Sequence, residues 1–313
     1  MNPATAPRAL VVGESLVDVV ERGSSSSAHP GGSPLNVAFG LARLGVPVTF
    51  VTEFGDDAYG ELLAGHLRSA GVETINRPEG KATSVATARI DADGAAGYDF
   101  SLTWELRAPA VPPAELFHTG SIGALREPGS GAVRQLVEAV APGTLVSFDP
   151  NIRPALMGDA AQLRDLVGWY CRHAHLAKLS DEDAAWLFPG WAHRAVLDWV
   201  LEQGTRVAVL TRGAHGSILR GSHAEVELPA IPTTVVDTIG AGDAYMAGLL
   251  AGVAHTGARA ELLAGHVSEA SLRAIGETAS AVAALTVARA GAMPPTLPEV
   301  EALARARSLH VTT

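Results

Sequence analysis

Asp237-Thr238-Ile239-Gly240-Ala241-Gly242-Asp243 joins two unlike segments of the chain. Upstream, Val235 and Val236 read as the end of a strand. Downstream, Ala244 to Ala251 reads as a buried helix, part of a helical pattern over 243–254. A helix that starts in such a turn leaves its first backbone N–H groups unpaired and pointing outward, where the macrodipole favours negative charge. Gly240 and Gly242 carry no Cβ, so a large anion can approach the backbone closely. Asp243 is therefore an anion set inside an anion site. A carboxylate in that position is costly unless it has a task, and accepting a proton from an attacking hydroxyl is one. Capping the helix is the competing reading. This segment alone leaves both open.

The chain has 313 residues, enough for one large α/β domain or two smaller ones. Hydrophobic residues at 47% and charged residues at 18% are ordinary for a globular protein and argue against disorder. A formal net charge of −10 without a Lys/Arg run speaks against nucleic-acid binding. It does not exclude a phosphorylated ligand, which backbone amides can hold. The single cysteine, Cys171, can form no internal disulfide and gives no metal-site spacing, which fits a reducing cytosol. Ala9-Leu10-Val11-Val12 has the length of a strand and not of a signal-peptide core, and no stretch approaches the roughly 18 apolar residues of a membrane span. A cytoplasmic protein without membrane contact is expected.

Strand-like and helix-like segments alternate along the chain. Strands are expected at 8–12, 47–52, 144–148 and 206–210, and helices at 35–44, 57–70, 160–173 and 243–254. The helix at 57–70 would open at Asp56 or Asp57. This βαβα order predicts a mostly parallel sheet with helices on both faces. Residues 14–22 and 83–106 break the pattern. They read as antiparallel strands with one wet face, the second region split by a turn at Asp91-Ala92-Asp93-Gly94. A small sheet inserted early in an α/β domain reads as a lid, built from about 14–30 and 83–106, with the serine run 24–27 at an exposed loop tip. No internal repeat or long linker is visible, so residues 1–313 are expected to form one domain.

Four further segments end strands or open helices with polar and small residues. They are Gly31-Gly32-Ser33-Pro34-Leu35-Asn36, Phe148-Asp149-Pro150-Asn151-Ile152-Arg153, Lys178-Leu179-Ser180-Asp181-Glu182-Asp183 and Leu210-Thr211-Arg212-Gly213-Ala214-His215-Gly216. Open α/β sheets bind ligands at such strand ends. Each segment is weak by itself. Together with residues 237–243 they resemble the ribokinase-like sugar kinases, the phosphofructokinase B (PfkB) family, from Gly13-Glu14 to Gly291-Ala292-Met293-Pro294. The GG-x-P-x-N motif at 31–36 and the D-T-x-G-A-G-D motif at 237–243 are the specific ones. Gly13-Glu14-Ser15-Leu16-Val17-Asp18 and Asp149-Pro150-Asn151-Ile152-Arg153 resemble the fructokinases of that family.

The resemblance implies a ribokinase-like α/β fold and an ATP-dependent sugar kinase. Asp243 matches the catalytic base, and Gly240, Ala241 and Gly242 match the anion hole. Asp18, Gly32 and Asn36 match sugar-contacting positions, and Arg153 would lie near the sugar or its phosphate path. Thr211, Gly213 and Gly216 match the nucleotide loop, with Lys178 and Ser180 on the same side. Asp237 and Ile239 match positions whose carbonyls help bind a monovalent cation such as K+ in several relatives. The chain departs from the family where Ser180 and Asp183 stand in an Asn-x-x-Glu motif. The shorter Asp183 could hold Mg2+ through water, since Mg2+ keeps several waters.

Competing structural readings accompany these assignments. Asp18 could face solvent, Asn36 could simply be a polar residue at a helix start, Arg153 could pair with a surface acid, and Lys178 could be solvated. The histidines show no ligand spacing, and Trp186, Trp191 and Trp199 suggest packing. The expected reaction transfers the γ-phosphate of ATP to a primary hydroxyl of a small sugar, fructose first, with 2-keto-3-deoxygluconate, ribose, other pentoses or a nucleoside as rivals. Phe100, Thr103 and Trp104 of the lid would shape the pocket. Dimerisation through the lid is a further expectation, because its edge strands are otherwise unpaired. A catalytically idle sugar- or nucleotide-binding regulator is the alternative of a different class. A Rossmann dehydrogenase is disfavoured, because Gly13-Glu14-Ser15 supplies no G-x-G-x-x-G turn.

Overall fold

The computed structural model describes residues 7–23, 25–78, 80–90 and 96–310. β1 (Ala9–Val12) leads into β2 (Leu16–Arg22) and β3 (Ser25–Gly31), followed by α1 (Ser33–Arg43), β4 (Val48–Thr52), α2 (Ala58–Ser69) and β5 (Glu73–Asn76). Next come β6 (Val85–Ile90), β7 (Ala96–Ser101), β8 (Leu116–Gly120), α3 (Ser121–Leu125), α4 (Gly129–Glu138), β9 (Leu145–Asp149) and α5 (Ala160–His173). After β10 (Leu176–Ser180), α6 (Asp181–Leu187), α7 (His193–Glu202) and β11 (Val207–Thr211), the hairpin of β12 (Ser217–Gly221) and β13 (Glu225–Leu228) closes the sheet. The chain ends in α8 (Ala241–His255), α9 (Ala258–Ala264), α10 (Glu269–Val287) and α11 (Leu297–His310).

Among the described residues the main sheet has nine strands in the order β13-β12-β11-β10-β9-β8-β1-β4-β5, parallel from β5 to β11. The β12–β13 hairpin adds antiparallel at one edge. β4, β8 and β9 are buried along their whole length, as strands covered on both faces must be. The period-two alternation divides β1 between two cores. Ala9 and Val11 face the core of α1, α8 and α10, whereas Leu10 and Val12 face that of α4 to α7. α8 is apolar around most of its circumference and lies between α1 and α10. Gly248 permits this packing, since a Cβ there would lie 2.6 Å from Ala279 Cα. No helix among the described residues is long and apolar enough to cross a membrane.

A separate four-stranded sheet has the order β3-β2-β6-β7 and contains the strands expected to form the lid. Its outer pairs are antiparallel and its central pair, β2–β6, is parallel. His29, Asp18, Ala86 and Phe100 occupy one row across it. Leu16 and Ala86 pack with Ile122 of α3, while Val17 and Val19 turn to the main core. The strands span 16–31 and 85–101. Trp104 and Leu106, beyond them, belong to the second core.

Three sequence readings need correction or limit. Ser25, Ser26 and Ser27 are not a loop tip: they are strand residues paired with Arg22, Glu21 and Val20. The backbone ladder outweighs their loop-like composition. Val235 and Val236 do not end a strand. They are about 60% exposed in an irregular segment, because the β12–β13 hairpin already takes the sheet edge. The turn expected at 91–94 lies outside the described residues. Asp57, and not Asp56, caps α2, its Oδ1 accepting from Gly60 N. Trp186 and Trp199 pack on the second core, whereas Trp191 is half exposed with its ring against Phe188.

Candidate active site

α8 begins at Gly240, which holds φ +72° in the left-handed region that glycine adopts without strain. A Cβ there would meet Ala292 Cβ at 2.5 Å. Ala241 N–H turns back to Thr238 O. Helix geometry leaves the N–H groups of Gly242 and Asp243 without an intrahelical acceptor. Asp243 does not cap the helix, for α8 has no side-chain cap hydrogen bond. Its Oδ2 instead accepts from Asn36 Nδ2 at 2.8 Å, which joins the first turns of α1 and α8. The polar-helix-start reading of Asn36 gives way for the same reason.

α1 is brought to this place by a tight crossing of chains. Gly32, its N-cap, has φ +103°, and a Cβ there would lie 2.8 Å from Glu14 O. Gly31 has no room for one either, because it would sit 2.1 Å from Asp18 Oδ2. Asp18 is a half-buried carboxylate and not a solvated one. Burial pushes it up to about 6, against the pull first of Arg153 and then of His29, with Asp243 raising it further. Glu14 is a buried carboxyl beside this centre to which the sequence reading gave no role. It is buried, its Oε2 accepts from Gly123 N at 2.6 Å, and burial pushes its carboxyl up to about 7. The signal was a charged residue directly after a buried strand.

The neighbouring strands supply the other charges. Lys178 is not solvated: it is buried, with Nζ 3.0 Å from Asp149 Oδ2 and 3.9 Å from where a Gly242 Cβ would stand. Burial pushes Asp149 up to about 6, although Lys178 opposes it. On Lys178, burial works to lower the pKa but is outweighed by Asp149 and Asp183, so a charged ammonium stands near Gly242. Asp183 and Ser180 form a capping box on α6: Ser180 Oγ accepts from Asp183 N, and Asp183 Oδ2 accepts from Ser180 N. Asp183 Oδ1 accepts from Ile152 N at 2.7 Å. Both carboxylate oxygens thus already receive a backbone N–H.

Arg153 makes no ion pair with a surface acid among the described residues. Its Nη1 donates to Asn151 Oδ1 at 2.8 Å. Thr211 faces Ser180 in the β10–β11 register. Gly213 and Gly216 bound the next turn at φ +51° and +81°, and a Cβ at Gly216 would strike Leu228 O. The Asp237 carboxylate accepts from Ile239 N and Gly291 N, which hold it below the usual range. That contact ties 237–239 to residue 291 and not to the charged centre. The Ile239 side chain is exposed. Cys171 is buried and its thiol is pushed up to about 12, so it has no part in the site.

Asp243, Asn36, Arg153 and Lys178 are therefore brought together at the C-terminal edge of the main sheet, with Asp18 of the four-stranded sheet beside them. Among the described residues no group of three His, Cys, Asp or Glu could hold a metal alone.

Comparison with known proteins identifies the family. The profile of the pfkB family carbohydrate kinases matches residues 7–299. The chain belongs to this family. The pfkB kinase is 32% identical over 329 residues to the fructokinase of Solanum tuberosum, covering 97% of each chain. It is 33% identical over 264 residues to the fructokinase of Klebsiella pneumoniae, covering 79% of this chain and 84% of that one. Its fold superposes on the crystal structure of fructokinase with bound ATP from Xylella fastidiosa with a TM-score of 0.81 at 26% identity, covering 96% of this chain and 99% of that chain. The kinase thus has the ribokinase-like α/β architecture and is a sugar kinase.

Proposed function

We propose that this sugar kinase transfers the γ-phosphate of ATP to a primary hydroxyl of fructose. The observation that carries the reading is Asp243 at the open N-terminus of α8, held by Asn36 and facing Asp18. Asp18, Gly32, Asn36 and Arg153 fix the sugar. Asp243 takes the proton of the attacking hydroxyl, and the turn of Gly240, Ala241 and Gly242, with the unpaired amides of Gly242 and Asp243, receives the charge that develops on the phosphoryl oxygens. Lys178 adds a fixed positive charge behind them. Lys178, Ser180, Thr211, Gly213 and Gly216 form the nucleotide side. Lid closure excludes water, the competing acceptor.

Mg2+ bound with the nucleotide would supply charge neutralisation for the triphosphate, and Asp183 would be the residue that holds it, through water. The carbonyls of Asp237 and Ile239 form a loop suited to a monovalent cation such as K+. Residues 1–313 act as one kinase domain, pairing with a second copy through the exposed lid strands, in the cytoplasm. The fructokinases of Solanum tuberosum and Klebsiella pneumoniae support fructose as the substrate.

Coupled ATP consumption over a panel of fructose, 2-keto-3-deoxygluconate, ribose and a nucleoside tests the reading. Fructose should give the highest kcat/KM, and Asp243→Asn should lower kcat by about 10²–10⁴ without unfolding the protein. Turnover with no sugar would favour a binding regulator, and a faster rival would replace fructose.

A further inference from the structure

Asn151, on the loop after β9, has φ +37° without being glycine. β-branched and bulky residues avoid this region, asparagine tolerates it, and glycine adopts it freely. A residue present only to turn the chain would be better as glycine. The asparagine side chain has a second peculiarity: its buried Nδ2 has no hydrogen-bond partner among the described residues. The orientation of the amide is fixed by chemistry, since Arg153 can only donate and so the atom facing it must be oxygen. Strain and an unsatisfied donor together mark a side chain kept for something other than closing the turn.

What it does is visible in its neighbour. Arg153 Nη1 is met by Asn151 Oδ1 at 2.8 Å, Ile152 O at 3.2 Å and Asn151 O at 3.4 Å. The side-chain oxygen makes the shortest of the three contacts. Arg153 is otherwise exposed, and its Nε and Nη2 make no hydrogen bond among the described residues. The Asp18 carboxyl feels Arg153 as the strongest charge favouring its ionised form. The loop itself is fixed at both ends, by Asn151 N to Asp149 Oδ1 and by Ile152 N to Asp183 Oδ1.

We propose that Asn151 is a positioning residue: its left-handed backbone and Oδ1 clamp one nitrogen of Arg153 and aim the remaining donors of the guanidinium at the oxygens of the sugar beside Asp18. The sugar part of this inference rests on the proposed kinase reaction. The clamping part does not. A single arginine on an exposed loop explores many rotamers, and fixing it before the sugar arrives removes that entropy from the binding step.

Asn151→Gly removes the clamp and the strain together. Asn151→Asp keeps an oxygen toward Arg153 and tolerates the same backbone. The expected result for Asn151→Gly is a thermal midpoint equal to or above the parent, a rise of about tenfold in KM for the sugar, and an unchanged KM for ATP. Asn151→Asp should restore most of the sugar affinity. In an Arg153→Ala background, Asn151→Gly should have no further effect on KM, because the two residues act as one unit. Backbone-independent confirmation comes from 15N relaxation of the Arg153 Nε–H, which should be ordered in the parent and averaged in Asn151→Gly whether or not any sugar turns over. Equal Arg153 order in parent and Asn151→Gly overturns the clamp. Ordered Arg153 with additive effects on sugar KM overturns its link to the sugar, and a parent that phosphorylates no sugar overturns the kinase reading instead.

Discussion

Replacing Glu14 by glutamine should change how the stability of this kinase depends on pH. Burial raises the Glu14 carboxyl from its ordinary value of 4.5 to about 7, opposed by the N–H of Gly123 and the Ser121 hydroxyl. Between those two values the native state keeps a proton that the unfolded chain has released. Stability from this group is therefore complete below 4.5 and is lost as pH rises through about 7. Above that point the fold carries a buried carboxylate. Linkage gives a loss of about 2.5 kcal/mol between pH 5 and pH 8 for a shift of this size. Glutamine offers a carbonyl oxygen to Gly123 N and does not titrate. Urea unfolding of the parent and Glu14→Gln at both pH values isolates the effect, since every other titrating group cancels in the double difference. The parent should lose about 2.5 kcal/mol relative to the variant on going from pH 5 to pH 8. A double difference under about 0.5 kcal/mol, smaller than additive errors between independent sites, would refute a buried, proton-holding Glu14.

The same geometry makes three further predictions. Gly31→Ala drives a Cβ into Asp18 Oδ2 and should raise the sugar KM at least about tenfold, roughly 1.4 kcal/mol, with ATP binding unchanged by nucleotide titration. Asn36→Ala removes the Asp243 Oδ2 partner, and kcat should fall about tenfold in the coupled assay while the thermal midpoint moves only a few degrees. Asp149→Ala strips the buried Lys178 ammonium of its 3.0 Å partner and should cost about 3–5 kcal/mol in urea unfolding. A loss below about 1 kcal/mol would mean that Lys178 finds water or another acid.

Much of the architecture is legible in local sequence because its parts are locally determined. Buried parallel strands such as Leu145–Asp149 need only a short apolar run, and α2 starts where an aspartate can cap it. The helix start at 240–243 is likewise written in two glycines and a carboxylate. What was not legible depends on which strands and side chains meet in the folded chain. The serines at 25–27 are strand residues only because β2 lies beside them, and Val235 and Val236 are exposed because β13 takes the edge. Lys178 could not be told from a surface lysine until Asp149 was placed against it. Glu14 was missed because its partner Gly123 lies 109 positions away. Asn151 was missed although Arg153 is two residues on, because its positive φ and unpaired Nδ2 exist only in the folded loop.

The hydrogen bond between Asn36 and Asp243 spans 207 positions of chain, and Gly240 packs against Ala292 further on still. During synthesis Asp18 and Asn36 emerge early, and residues 240–243 emerge among the last segments. On the proposed mechanism a growing chain would hold Asp18 and Asn36 long before it has Asp243 to activate a hydroxyl. Phosphoryl transfer by that mechanism would begin only when the final helices have docked, and an unfinished chain would spend no ATP on sugar.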